Sequence, residues 1–227
     1  AQLNKAAQLL FDSKCIEAEA ELARVGRELG GRAAVFPDFP NDSHDRYRLV
    51  SEILYRTGDN LTQSMHQRCR LDLYFPVHHQ PYSTVVWFHG GGLSAGERAI
   101  PMHLRKRGVA VVAVNYRLSP DAKSPEFIED AAAAVAWTLK NIQNYGGSAE
   151  RVFLSGHSAG AYLSLMVGLD KRWLAAHELD PKVIAGLIPL SPQVITHFAI
   201  REERGMSEKQ PLVDDLAPLF HVKSDAP

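Results

Sequence analysis

Four uncharged apolar runs constrain what this chain can fold into. Thr84–Phe88, Val109–Val114, Val152–Leu154 and Ile184–Leu190 contain no charged residue, as strands do when both faces are covered. Leu49–Tyr55 and Cys69–Phe75 are further strand candidates. Helical stretches are expected over Ile100–Arg107, Pro125–Asn144, Ala159–Leu169 and Lys171–Glu178. The longest opens with Pro125, where a missing N–H costs nothing, and runs through Ala131–Ala134 to Trp137. This alternation predicts an α/β fold, with a mostly parallel sheet flanked by helices.

Composition narrows the function classes. The 227 residues are 45% hydrophobic, enough for a substantial core in one large domain or two small ones. With 25 basic and 26 acidic side chains, the chain lacks the basic surplus that nucleic acid or another polyanion requires. No apolar run reaches the ~18 residues of a membrane span. Cys15 and Cys69 cannot build a disulfide framework, and no CxxC or Cys/His cluster points to zinc. The sequence starts at Ala1 without a charged-then-apolar leader, so a signal peptide is expected to have been removed or never to have existed.

Residues 1–46 read as a separate N-terminal segment, before a core over 47–227. Phe11, Cys15, Ala18, Leu22, Val25 and Leu29 recur at spacings of four and three, which predicts an amphipathic helix over 2–29. Gly30-Gly31 stops it, and a turn-rich linker around Pro37 and Pro40 follows.

The chemistry-bearing residues sit at two strand ends. Gly156-His157-Ser158-Ala159-Gly160 follows Val152–Leu154 and opens the helix Ala159–Leu169. A serine on so tight a strand-to-helix turn projects its hydroxyl above the sheet, and flanking glycines allow close backbone approach. The helix N-terminus adds partial positive charge where an oxyanion forms. A plain glycine-rich turn is the competing reading. His89-Gly90-Gly91-Gly92 follows Thr84–Phe88, and its glycines leave N–H groups unshielded for a carbonyl oxygen. Its continuation, Leu93-Ser94-Ala95-Gly96, lacks the Lys-Ser or Lys-Thr pair of a phosphate-binding loop and the spacing of a dinucleotide fingerprint.

Together these residues resemble the α/β-hydrolase superfamily, and within it the esterase and lipase group of hormone-sensitive lipase and carboxylesterase type. Arg70–Tyr74, Asn115–Pro120, Pro125–Asp130 and Tyr145–Arg151 look like further segments of that group. The resemblance runs from about Tyr47 to the end. It implies a three-layer α/β-hydrolase fold and ester hydrolysis through an acyl-serine intermediate. Ser158 becomes the nucleophile. The N–H groups of Ala159, Gly91 and Gly92 become the oxyanion hole, with Gly90 the alternative if the register differs by one. His89, Gly90, Gly156, His157 and Gly160 support the motifs, and Tyr116, Arg117 and Asp130 tie loops together. The implied partner is a small-molecule ester, with no metal or organic cofactor.

The resemblance also implies a catalytic acid after a seventh strand and a histidine after an eighth. Ile184–Leu190 counts as the sixth, so both are expected beyond Pro227. Of the later histidines, His177 is expected on the far side of the elbow, His197 along the acyl site, and His221 with Asp214, Asp215 and Asp225 among loop anchors. A fragment or pseudoenzyme that keeps the scaffold for ligand or partner binding is the alternative function. An unpaired edge at Ile184–Leu190 is expected to drive self-association. Gly91→Ala is expected to lower kcat with little effect on Tm.

Overall fold

The computed structural model describes residues 47–78, 80–207, 209–224 and 227. The helix expected over 2–29, its linker and the boundary after residue 46 lie outside the described residues. Within them one sheet has six strands: β1 (Tyr47–Leu54), β2 (Arg70–Pro76), β3 (Tyr82–Phe88), β4 (Ala110–Val114), β5 (Gly147–His157) and β6 (Gly186–Leu190). Their spatial order is β1-β2-β4-β3-β5-β6. Pairing is antiparallel from β1 through β2 to β4, then parallel across β4, β3, β5 and β6. The helices are α1 (Gln63–Arg68), α2 (Glu126–Asn141), α3 (Ala159–Leu169), α4 (Lys171–Ala175) and α5 (Phe198–Glu203).

All five residues of β4 are buried, as its run of valines and alanines predicts. Helix α3 buries nine of its eleven residues; a helix apolar all round belongs inside. It packs on β5, β6 and α2. One buried carboxylate locks the loop after β4 to α2. Asp130 accepts the Arg117 backbone N–H at 3.0 Å and its guanidinium at 2.8 and 3.0 Å, and the Arg56 Nε at 2.7 Å. Arg117 and Asp130 therefore tie loops together.

Several elements differ from expectation. Ile100–Arg107 holds only a short 3-10 turn, Met102–Leu104. Met102 is exposed, so no apolar face rewards a longer helix, and the Arg105 guanidinium folds back onto the Ile100 carbonyl. The stretch after Pro125 splits at Asn141 into α2 and a 3-10 turn, Ile142–Tyr145. The expected Lys171–Glu178 helix ends at Ala175. Helices α1 and α5, six residues each, are too short to show a periodic signal.

β6 is the sixth strand and lies at the sheet edge. Cover on both faces, expected for this run, is not found: Ile188 is 49% and Leu190 36% exposed. The Ser155 hydroxyl and the Ser158 N–H donate to the Ile188 and Leu190 carbonyls, which turns those carbonyls toward β5. Backbone alternation then directs the backbone polar groups of Leu187 and Pro189 to the free edge, and Pro189 offers that edge no N–H. The edge is blunted by one donor, yet it keeps apolar side chains in water. The 227-residue polypeptide is expected to self-associate through β6 in light scattering, and Ile188→Lys to lower the apparent mass. A monodisperse wild-type monomer would show instead that the edge does not recruit a partner.

Candidate active site

Parallel pairing brings the two glycine motifs together. Phe88, the last residue of β3, is in register with Gly156 near the end of β5. From these adjacent ends the chain leaves in opposite directions, β3 toward β4 and β5 toward β6. That is the switch point at which open α/β sheets place their ligand crevice.

The elbow has little room for side chains. A Cβ on Gly160 would lie 2.0 Å from the Phe88 carbonyl oxygen, and one on Gly156 would lie 2.6 Å from the same atom. Only glycines let α3 start so close to β3. Between them Ser158 adopts φ 54° and ψ −115°, a conformation that costs a non-glycine residue of order 1–3 kcal/mol. Its N–H donates to the Leu190 carbonyl at 2.9 Å, and its carbonyl accepts from Tyr162 at 3.0 Å. The serine remains partly exposed. No side chain caps α3, so the first-turn N–H groups beginning at Ala159 stay available above the elbow.

The glycine loop faces this serine. A Cβ on Gly90 would lie 3.0 Å from the His157 carbonyl oxygen, 3.1 Å from its Nδ1 and 3.5 Å from Ser158 Cβ. Gly91 and Gly92 take φ +119° and +66°, which glycine adopts freely. The Gly91 carbonyl closes a turn by accepting from Ser94 at 3.1 Å and Ala95 at 2.9 Å. Among the described residues the N–H groups of Gly91 and Gly92 donate to no other protein group. Sequence reasoning treated Gly91→Ala as a clean probe of chemistry. The structure corrects this, because the added Cβ would meet the Ala95 carbonyl oxygen at 2.1 Å, and folding suffers too.

His89 braces the loop from behind. Its ring stacks on Tyr116 at 4.4 Å, and its Nδ1–H donates to the Gly90 carbonyl at 2.7 Å. The Tyr116 hydroxyl donates to the His89 carbonyl at 2.8 Å. Burial lowers the His89 pKa to about 4, so the imidazole is neutral at ordinary pH. His157 borders Gly90, and desolvation lowers its pKa as well.

The remaining histidines and acids are placed elsewhere. His197 is fully buried, its Nδ1 accepts the Ala199 N–H at 3.2 Å, and burial lowers its pKa to about 4. It does not line an open acyl site. The residue against the glycine loop is its neighbour Phe198, whose Cζ lies 2.9 Å from where a Gly92 Cβ would stand. Sequence reasoning missed Phe198, although it placed the neighbouring His197 along the acyl site. The His221 Nε2 lies 2.9 Å from the Asp215 carbonyl oxygen, and Asp214 accepts from Thr196 and Leu216. These are loop anchors, and Asp225 lies outside the described residues. A concavity of about 330 Å³ bordered by Asp170, Arg172, His221 and Lys223 lies at the far end of α3 from Ser158. Among the described residues no group of three His, Cys, Asp or Glu side chains is placed to hold a metal, and no helix is long and apolar enough to cross a membrane.

The two buried imidazoles set a pH dependence. Their pKa falls from 6.5 to about 4 on folding. Between those values the unfolded chain takes up protons that the folded chain refuses. Stability is therefore fully present above pH 6.5 and declines as pH falls toward about 4. Urea unfolding across this window should show the decline, and His89→Asn should reduce its slope. An unchanged slope would exclude His89 as a contributor.

Comparison with known proteins places the chain. The BD-FAE family matches residues 71–185, just over half of the sequence. A probable isoprenylcysteine alpha-carbonyl methylesterase (ICMEL1) of Oryza sativa subsp. japonica is 36% identical over 102 residues, covering 43% of this chain and 24% of that protein. A probable carboxylic ester hydrolase, LipM, of Mycobacterium tuberculosis is 29% identical over 162 residues, covering 61% of this chain and 37% of that protein. The chain thus spans about a quarter to a third of the length of these curated relatives. Among solved structures, Thermogutta terrifontis esterase 2 phosphoramylated by tabun superposes with TM-score 0.58 at 23% identity, over 79% of this chain and 68% of that one. That likeness concerns the fold alone. With the sheet order and the elbow, these matches show that the chain belongs to the BD-FAE family and has the fold of the α/β-hydrolase esterase and lipase group.

Proposed function

We propose that the chain carries the nucleophile and oxyanion hole of a serine carboxylesterase. One observation carries this reading. A strained, partly exposed serine and a loop of undonated N–H groups face each other across the paired ends of β3 and β5. Ser158 Oγ bonds to the ester carbonyl carbon and gives up its proton to a base. The carbonyl oxygen, now an oxyanion, accepts from the N–H groups of Gly91, Gly92 and Ala159. The carbon–alcohol bond then breaks, the base returns the proton to the leaving alcohol, and water releases the acid from the acyl-serine.

The base is not assigned within the described residues. His89, His197 and His221 each commit a ring nitrogen to a backbone group, and the first two are buried with pKa values near 4. The relatives named as esterases support the reaction class, and the substrate is a small-molecule ester. Self-association through β6 accompanies this reading as the proposed contact with other copies.

The reading is tested in the protein expressed from its full coding sequence. A fluorophosphonate probe should label Ser158, and Ser158→Ala should abolish the label; undiminished labelling of the variant removes the nucleophile assignment. The glycine loop has its own test. Gly91→Ala should slow labelling by about 10²–10³-fold and also lower Tm, because of its backbone clash. Gly90→Ala, whose contacts need only a few tenths of an ångström, should slow labelling with a smaller change in Tm. If Gly90→Ala labels at the wild-type rate, the loop does not face the reacting serine.

A further inference from the structure

The geometry points to Phe198 as the residue that limits the size of the acyl group accepted beside Ser158, an inference that rests on the esterase reading above. The segment after β6 is drawn to the elbow by the Ser158 N–H bond to the Leu190 carbonyl. It is then fixed in place. The Phe198 N–H donates to the Gln193 side-chain oxygen at 3.1 Å, and the His197 ring caps α5 through the Ala199 N–H. The His197 ring packs between Tyr162 at 5.2 Å and Phe198 at 4.5 Å between centroids. Tyr162 is itself anchored by its hydroxyl to the Leu216 carbonyl at 2.8 Å.

This arrangement holds the Phe198 ring against the oxyanion loop. Its Cζ occupies the space next to Gly92, 2.9 Å from a Cβ that the glycine lacks. The residue is only half-buried, so part of the ring packs on protein and part reaches solvent. A carbonyl oxygen held by the Gly92 N–H therefore puts one substituent of the carbonyl carbon beside this ring.

That substituent is the acyl chain. The leaving alcohol must lie toward the base that protonates it. Among the described residues the imidazole on the Phe198 side is His197, which is fully buried with its Nδ1 occupied and does not reach the alcohol. On this proposal the alcohol accordingly lies on the other side and the acyl group against Phe198.

The test uses the enzyme expressed from its full coding sequence and p-nitrophenyl esters, which hold the leaving group constant. The reading is the ratio of kcat/KM for octanoate to that for acetate. Phe198→Ala should raise this ratio about tenfold or more, Phe198→Leu should raise it less, and Phe198→Trp should lower it. Phe198→Leu keeps most of the apolar volume and guards against a failure of Phe198→Ala to fold. Fluorophosphonate labelling of each variant at Ser158 reports that the site is assembled. An unchanged ratio in variants that are labelled and turn over ester overturns the role of Phe198 and leaves the esterase reading standing. A shift confined to acetates of larger alcohols overturns the acyl assignment. A wild-type enzyme that neither labels at Ser158 nor hydrolyses any ester overturns both.

Discussion

The parallel pairing of β3 with β5 is the interaction on which the rest of this structure depends. Register puts Phe88 beside Gly156, and each strand ends directly at a motif. Had β5 slipped by one residue, the side chains of its whole length would change face, and Ser158 would no longer stand opposite the glycine loop. Register is held by burial, since Val86, Phe88, Val152 and Leu154 are inaccessible to solvent. It is held equally by what is missing, because a side chain at position 156 or 160 would collide with the end of β3.

Around this pair the polar groups hold the loop rather than merely decorate it. Tyr116, beyond the end of β4, both stacks on His89 and donates to its carbonyl. Arg68 donates to the Tyr116 carbonyl at 3.2 Å and to the Gly96 carbonyl at 3.1 Å, so the two ends of the glycine loop share one scaffold. Donors fixed in this way need no rearrangement when charge develops beside them, which is where enzymes gain most from preorganised dipoles.

Much of this was legible in the sequence, and for physical reasons. Uncharged runs such as Ala110–Val114 declare buried strands, and a glycine-serine-glycine pattern between strand and helix declares an elbow, because few other residues satisfy that backbone. The helix expected at Ile100–Arg107 failed because spacing alone cannot report that Met102 faces water. Phe198 was invisible because α5 has only six residues, and because its importance comes from a contact with Gly92 across more than a hundred positions of chain. The role first given to His197 passed to its neighbour for a related reason: sequence reports that a histidine is near a site, but not that its ring is turned inward as a cap. The demands on Gly91 were half legible, since its conformational freedom is evident from its type while the Ala95 carbonyl against it is not.

The separation of β3 and β5 along the chain carries a consequence for how the molecule assembles. Phe88 and Gly156 pair directly in the sheet but are separated along the chain by β4 and α2, and closing a loop of that length costs entropy before any contact repays it. Non-local parallel pairing of this kind is slow to form. The serine and its facing amides are thus brought together only by a long-range pairing, that of β3 with β5. Until that pairing forms, the elbow and the glycine loop are separate local turns, and neither can present its groups to the other.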